Sequence, residues 1–169
     1  MIVIMAGLPA TGKSTLARRL AAELDGLVVD KDEVRAALFS GFVDYTKAQD
    51  DLAMECVYTA AGYVARTRPD AAVFIDGRTF VARRQWARAL DFVRTLGAPW
   101  RVIETACSDN VGFARLAASA GHPAANRSSA LYSLLKAGHE SIEVDKLVVD
   151  TERPIEECVK QCLAYLLYY

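Results

Sequence analysis

Long apolar runs, grouped metal ligands and a charge excess of either sign are all missing from this sequence. No apolar stretch approaches the roughly 20 residues of a membrane-spanning helix, and no basic leader precedes the first strand-like run. The net charge of −1 gives no broad electrostatic surface for duplex nucleic acid, although a nucleic-acid end needs only a local basic patch. These absences predict a cytosolic protein with no membrane partner, and they leave the oligomeric state open.

Cysteine is scarce, and the four cysteines have no metal-ligand grouping. Cys158 and Cys162 are four residues apart in a segment of apolar periodicity, which places them on one face of a helix. Packing in the core is the favoured interpretation of this pair, and a zinc or redox role is the alternative.

The 169 residues, 53% of them hydrophobic, predict a single globular domain over residues 1–169. Strand-like runs alternate with helical periodicity, which is typical of a parallel α/β sheet with helices on both faces. The predicted strands are Ile2–Met5, Leu27–Val29, Ala72–Ile75, Arg101–Ala106 and Lys146–Val149. The predicted helices include Ser14–Leu24, Lys47–Arg66, Arg83–Leu96 and Ile155–Leu167.

A complete G-x-x-x-x-G-K-[ST] motif lies between the first predicted strand and the first predicted helix. Its glycines let successive backbone N–H groups converge on phosphate oxygens, Lys13 adds a point charge, and the Ser14 hydroxyl is suited to ligate Mg²⁺. The motif therefore predicts a nucleoside triphosphate site. The expected contacts are Gly7, Pro9, Ala10, Thr11, Gly12, Lys13, Ser14 and Thr15.

Two features favour phosphoryl transfer over GTPase or motor activity. No Asn-Lys-x-Asp run is present to recognise guanine. The third predicted strand ends in Asp76-Gly77, and a hydrolytic motor typically has a glutamate after this aspartate to activate water. Asp76 is expected to bind Mg²⁺, directly or through water, next to the acceptor.

Asp32 and Arg35 follow the second predicted strand, at the sheet edge where an acceptor would lie. A carboxylate here is suited to take the proton of an acceptor hydroxyl, and an arginine one helical turn later to orient that acceptor. The alternative is a helix cap with solvated charges. Arg78 is a further candidate for the acceptor pocket, and the stretch Phe39–Tyr45 is either a wall of that pocket or a connector.

The segments Gly7–Ala17, Asp30–Arg35 and Phe74–Phe80 resemble those of small P-loop kinases. This group includes polynucleotide 5′-kinase domains, chloramphenicol phosphotransferase, gluconate kinase, zeta-toxin-like kinases and other AAA-type ATP-binding proteins. The resemblance covers nearly the whole chain. It implies a three-layer P-loop NTPase fold, with a five-stranded parallel sheet in the order 2-3-1-4-5, ATP with Mg²⁺, and a small arginine-bearing lid.

The resemblance also implies roles for individual residues. Asp32 matches the general base of the polynucleotide-kinase pattern, and Arg35 matches its acceptor-binding arginine. The lid is expected at about 115–130, where Arg127 is the candidate to reach the transferred phosphate and Arg115 the candidate to contact nucleotide. These two arginines are twelve residues apart, farther than is usual in the group. Thr151 lies where the group often holds the adenine.

The sequence thus predicts an ATP-dependent kinase that acts on a hydroxyl group, with a small-molecule acceptor favoured. A nucleic-acid 5′ end is the alternative acceptor. A nucleotide-gated ATPase or binding protein without any acceptor is the alternative from another class.

Overall fold

A computed structural model describes residues 1–118, 126, 128–140 and 143–168. Strands and helices alternate along these ranges. The strands are β1 (Ile2–Ala6), β2 (Leu27–Asp30), β3 (Val73–Asp76), β4 (Trp100–Ala106) and β5 (Leu147–Asp150). The helices are α1 (Lys13–Glu23), α2 (Lys31–Phe39), α3 (Lys47–Thr67), α4 (Arg83–Leu96), α5 (Asp109–Ala118), α6 (Ser129–Ala137) and α7 (Ile155–Tyr168), with a 3₁₀ turn at Ser40–Phe42.

The five strands form one parallel sheet in the order β2-β3-β1-β4-β5. The predicted fold class and strand order are therefore confirmed. All parallel strands run from one edge of the sheet to the other, so the loops that follow β1, β2 and β3 meet at the carboxyl edge.

Helices cover both faces of the sheet, and alternate residues of β1 enter opposite cores. Ile2 and Ile4 belong to one cluster with residues of α3 and α4. Val3 and Met5 belong to the other, with residues of α1 and α7. All of β1 is buried, because a central parallel strand has no solvent-facing side. Cys158 and Cys162 lie in the second cluster, and the described ranges contain no group of three or more His, Cys, Asp or Glu residues that could hold a metal ion.

The strand ends differ from the predicted ones in a consistent way. β2 and β3 each end one residue later than predicted, so Asp30 and Asp76 are the last residues of their strands and pair with each other in register. Both carboxylates are therefore fixed by the sheet and not by a loop. Across the described parts of the chain, none of the helices is long and apolar enough to span a membrane.

The predicted lid at about 115–130 includes the end of α5 and the start of α6, and its residues 119–125 and 127 lie outside the described residues. The two helices contact each other through Asp109, whose carboxylate accepts hydrogen bonds from the Lys136 ammonium at 2.7 Å and the Tyr132 hydroxyl at 3.0 Å. Gly112 makes room for the Tyr132 ring, because a Cβ at this position would lie 3.2 Å from it.

Candidate active site

The loop between β1 and α1 has the backbone conformation of a phosphate-binding loop. Gly7, Ala10 and Gly12 all have positive φ, at 130°, 62° and 91°. Alternation of left-handed and right-handed residues turns successive N–H groups toward one point, which makes a concavity for anions. Gly7 cannot be replaced here, because a Cβ would lie 2.4 Å from the Thr105 carbonyl oxygen.

Buried hydroxyls hold this loop against β4. The Thr11 hydroxyl lies 2.8 Å from the Leu8 carbonyl oxygen and 2.7 Å from the Thr105 hydroxyl. The Lys13 ammonium donates to the carbonyl oxygens of Gly7 and Leu8, both at 2.8 Å. Gly7 and Thr11 therefore hold the loop against β4, while the other residues of the loop that were predicted to contact the nucleotide line a cleft. Those lining residues are Pro9, Ala10, Gly12, Lys13, Ser14 and Thr15.

Arg115 and Thr151 lie together at one end of the cleft. The Arg115 guanidinium donates to the Thr151 hydroxyl at 3.0 Å and to the Thr151 carbonyl oxygen at 2.7 Å. The Thr151 hydroxyl in turn lies 2.8 Å from the Thr11 carbonyl oxygen. Arg115 therefore links α5, the loop after β5 and the phosphate-binding loop, at the two positions predicted to contact nucleotide.

The paired carboxylates Asp30 and Asp76 lie beside the phosphate-binding loop. Burial, together with the charge of Asp76, raises the pKa of Asp30 to about 6, although the backbone N–H of Asp32 opposes the shift by donating to Asp30 at 2.8 Å. Asp76 is fully buried, and neither of its carboxylate oxygens has a hydrogen-bond partner among the described residues. A buried carboxylate with unpartnered oxygens fits a cation or a cation-bound water.

Asp32 and Arg35 lie on the first turns of α2 and form an ion pair with 2.7 Å between the Arg35 Nη2 and the Asp32 Oδ1. Lys31 and Asp50 complete a four-residue cluster, which we call the charge quartet. Asp50 Oδ1 lies 2.6 Å from the Arg35 guanidinium and 2.8 Å from the Lys31 ammonium, which is also 3.1 Å from Asp32 Oδ1. The Tyr45 ring lies under the Arg35 guanidinium, 4.5 Å from its centroid.

Arg78 lies beside the charge quartet and is almost fully buried. Its Nη2 donates to Asp51 at 2.6 Å and lies 3.8 Å from Asp50 Oδ2. Asp51 also pairs with Arg84 at 3.2 Å. The phosphate-binding loop, the charge quartet and Arg78 all line one continuous cleft of about 840 Å³.

The predicted site residues thus lie around one cleft, although Gly7, Thr11 and the fully buried Asp76 are not among the residues that line it. Arg127 lies outside the described residues. Sequence reasoning missed Lys31, Asp50, Asp51 and Arg84. The signal was weak, since adjacent aspartates in the first turns of a helix are explained by the helix dipole alone. Of the stretch Phe39–Tyr45, only Tyr45 is among the residues that line the cleft.

The phosphate-binding loop follows the central strand β1, and acids end the adjacent strand β3 and the next strand β2. These features define the chain as a P-loop protein with the strand order of small kinases. A family model described as an AAA domain matches residues 2–143. The chain belongs to this AAA domain family. No curated protein sequence matches it.

Solved structures with the same fold include two kinases and a further protein in complex with a nucleotide. The APS kinase CysC of Mycobacterium tuberculosis, in complex with AMPPNP and APS, is 16% identical with a TM-score of 0.73, over 98% of this chain and 96% of that one. A gluconokinase from Sinorhizobium meliloti is 18% identical with a TM-score of 0.67, over 97% and 90%. Chaetomium thermophilum Kti12, in complex with ADP-AlF3, is 15% identical with a TM-score of 0.73, over 98% and 97%. The predicted resemblance to small P-loop kinases is confirmed at the level of family and fold.

Proposed function

We propose that this protein is an ATP-dependent phosphotransferase that moves the γ-phosphate to a hydroxyl group of a small molecule. The observation that carries the proposal is that Asp32 lines the same cleft as the phosphate-binding loop, with its carboxylate oriented by two cations. Phosphoryl transfer needs little covalent chemistry from the protein beyond positioning, charge neutralisation and a base for the acceptor's proton.

The roles follow from the contacts. Both contacts of Asp32 with Arg35 and Lys31 use Oδ1, which leaves Oδ2 to accept the proton of the acceptor hydroxyl. The acceptor oxygen then forms a bond to the γ-phosphorus, the bond from that phosphorus to the β–γ bridging oxygen breaks, and ADP leaves. The N–H groups of the phosphate-binding loop and Lys13 hold the phosphates in line with the acceptor.

Mg²⁺, when bound, neutralises the phosphate charge, and Ser14 and Asp76 are the residues that would hold it. The unpartnered oxygens of Asp76 support this assignment. Arg115 and Thr151 would hold the nucleoside end, and we place Arg127 over the transferred phosphate as part of a lid at about 115–130. The cleft of about 840 Å³ would have to hold the nucleotide as well as the acceptor, and this supports a small acceptor, because sites for a single small molecule already occupy roughly 300–1,000 Å³.

The test is a transfer assay with labelled ATP against a panel of hydroxyl compounds that includes an oligonucleotide with a free 5′-hydroxyl. The Asp32→Asn variant should keep its nucleotide affinity and lose about 10²- to 10⁴-fold in transfer rate, the usual contribution of a general base. Asp91→Asn, an exposed carboxylate on α4, is the matched control, and Lys13→Ala should lose nucleotide binding itself.

Three outcomes would contradict parts of the proposal. Transfer at a near-normal rate in Asp32→Asn would remove Asp32 as the base. Transfer to the oligonucleotide alone would replace the small-molecule acceptor. Slow ATP hydrolysis that no member of the panel stimulates would indicate an ATPase without an acceptor.

A further inference from the structure

The cations around the acceptor half of the cleft outnumber the acids, although the whole chain has a net charge of −1. This half lies between α2, α3 and the start of α4. Its charged residues are Lys31, Asp32, Arg35, Lys47, Asp50, Asp51, Arg78 and Arg84. With five cations and three carboxylates, this set has a charge of +2; the buried carboxylates of Asp30 and Asp76, which do not line the cleft, are not counted in it. The distribution of this charge decides where a ligand would bind.

The charge quartet is electrically balanced. Lys31 and Arg35 face Asp32 and Asp50, and all four ion-pair distances lie between 2.6 and 3.1 Å. Both terminal nitrogens of Arg35 are engaged, Nη2 with Asp32 and Nη1 with Asp50. Arg35 is therefore suited to orient the two carboxylates, and it has little charge left to attract an acceptor.

Arg78 and Arg84 are balanced less closely, because both pair with Asp51. The other carboxylate near Arg78 is that of Asp50, at 3.8 Å, and it already pairs with Lys31 and Arg35. Lys47 also lines the cleft and has no ion pair among the described residues. The excess positive charge of the acceptor half is therefore divided between the exposed Lys47, at the start of α3, and the pair Arg78 and Arg84, at the end of β3 and the start of α4. Arg78 lies across Asp50 from the proposed base Asp32.

Burial makes the charge of Arg78 more consequential than that of an exposed arginine. Only 5% of its side chain is exposed, whereas its partner Asp51 is 41% exposed. The Arg78 Nε is buried, and no described residue accepts a hydrogen bond from it. A buried guanidinium with incomplete partners is costly, and an anionic ligand in the cleft would reduce that cost.

We propose that the acceptor is a small hydroxylated anion, in which a carboxylate or phosphate group binds at Arg78 while the hydroxyl faces Asp32. Arg78 then determines the substrate class, with Arg84 as the exposed second cation and Arg35 as a positioning residue. This inference rests on the proposed phosphotransferase function. Asp50 lies near Arg78 and also pairs with Lys31 and Arg35, the two partners of Asp32. Because Arg78 and Asp32 are thus close together, the charged group and the hydroxyl belong to one compact molecule.

The same cations could instead serve the transferred phosphate of ATP, so the test is done with that phosphate present. The chain is first saturated with AMPPNP and Mg²⁺. Calorimetric titrations then use pairs of compounds that differ mainly in charge: glycerate and glycerol, gluconate and sorbitol, glucose 6-phosphate and glucose. Inorganic sulfate is added as a simple anionic probe. The first two pairs test a carboxylate, and the third tests a phosphate.

We expect an anionic member of the panel, or sulfate, to bind and its neutral counterpart not to bind. Arg78→Met should weaken that binding by about 10- to 100-fold, the usual effect of losing a hydrogen bond to a charged group. Arg84→Met should weaken it less, and its exposed position protects the fold. Arg94→Met, which removes an exposed charge at the far end of α4, is the matched control and should bind as the unmodified chain does.

The inference is overturned if no anion binds, if neutral members bind equally well, or if Arg78→Met weakens AMPPNP binding instead of anion binding. The two proposals fail in different ways. Anion binding that depends on Arg78, without transfer of label to any compound, would support the anion site and refute the phosphotransferase function. Transfer of label to neutral polyols would support the phosphotransferase function and refute the anionic acceptor.

Discussion

Replacing Gly77 with alanine tests whether the carboxyl end of β3 fixes the start of α2. Gly77 has a φ of 86°, and a Cβ at this position would lie 2.6 Å from the Asp30 Oδ1, 2.8 Å from the Lys31 nitrogen and 3.0 Å from the Asp32 nitrogen. The left-handed conformation costs an alanine about 1–2 kcal/mol. Displacing backbone that cannot move freely adds about 1–3 kcal/mol.

Gly97 provides the matched control. It ends α4 with a φ of 68°, and no described heavy atom lies within 4 Å of a Cβ built there. Gly97→Ala should therefore have the conformational cost alone, about 1–2 kcal/mol. Gly77→Ala should be less stable than Gly97→Ala by about 1–3 kcal/mol.

The assay is the free energy of unfolding from denaturant titration, with the melting temperature as a second measure. For a chain of this size the difference between the two variants corresponds to about 2–12 °C in Tm. If the two variants were equally stable, the contact between Gly77 and the first turn of α2 would carry no energy. The argument that β3 fixes the position of Asp32 would then fail.

Two further predictions concern Asp30 and Arg115. Because the pKa of Asp30 is raised from 3.8 to about 6 in the folded chain, the folded state holds its proton more tightly, so stability should fall as pH rises from about 4 to about 6. The free energy of unfolding should fall by an amount on the order of 2–3 kcal/mol. Asp30→Asn, which keeps a helix cap, should abolish this fall in denaturant titrations without nucleotide or Mg²⁺. An unchanged pH profile in the variant would show that Asp30 does not cause it. Arg115→Met should weaken the binding of a fluorescent ATP analogue by about tenfold or more, since its hydrogen bonds hold Thr151 to the phosphate-binding loop; equal affinity would show that the link does not support the nucleotide.

The sequence was sufficient to predict the part of the site that depends only on single strands and the residues that follow them. The phosphate-binding loop depends on local conformation at Gly7 and Gly12, and Asp76 follows an apolar run. Because all parallel strands end at one edge of the sheet, the closeness of their terminal acids could be predicted without knowledge of how the helices pack.

The acceptor half could not be predicted in the same way, because it depends on how α3 packs against α2. Asp50 reaches Arg35 across 15 residues of sequence, and nothing in the helical periodicity indicates this contact. The predicted anchor Arg35 illustrates the difficulty. Its position after β2 indicates that it lies near the acceptor, but its pairing with Asp50 depends on how α3 packs against α2.

The in-register pairing of Asp30 with Asp76 has a consequence for how such a site can change. β3 also pairs with β1, where Ile75 lies opposite Ile4, so backbone hydrogen bonds connect Asp30, Asp76 and the strand that leads into the phosphate-binding loop in one ladder. The spacing of these three positions is thus a property of the sheet, and α2 with Asp32 begins directly after Asp30. Asp50 and Asp51, in contrast, come from α3, which is outside this ladder. Substitutions along α3 can therefore change the charges that face the cleft while Asp30, Asp76 and the start of the phosphate-binding loop keep their spacing.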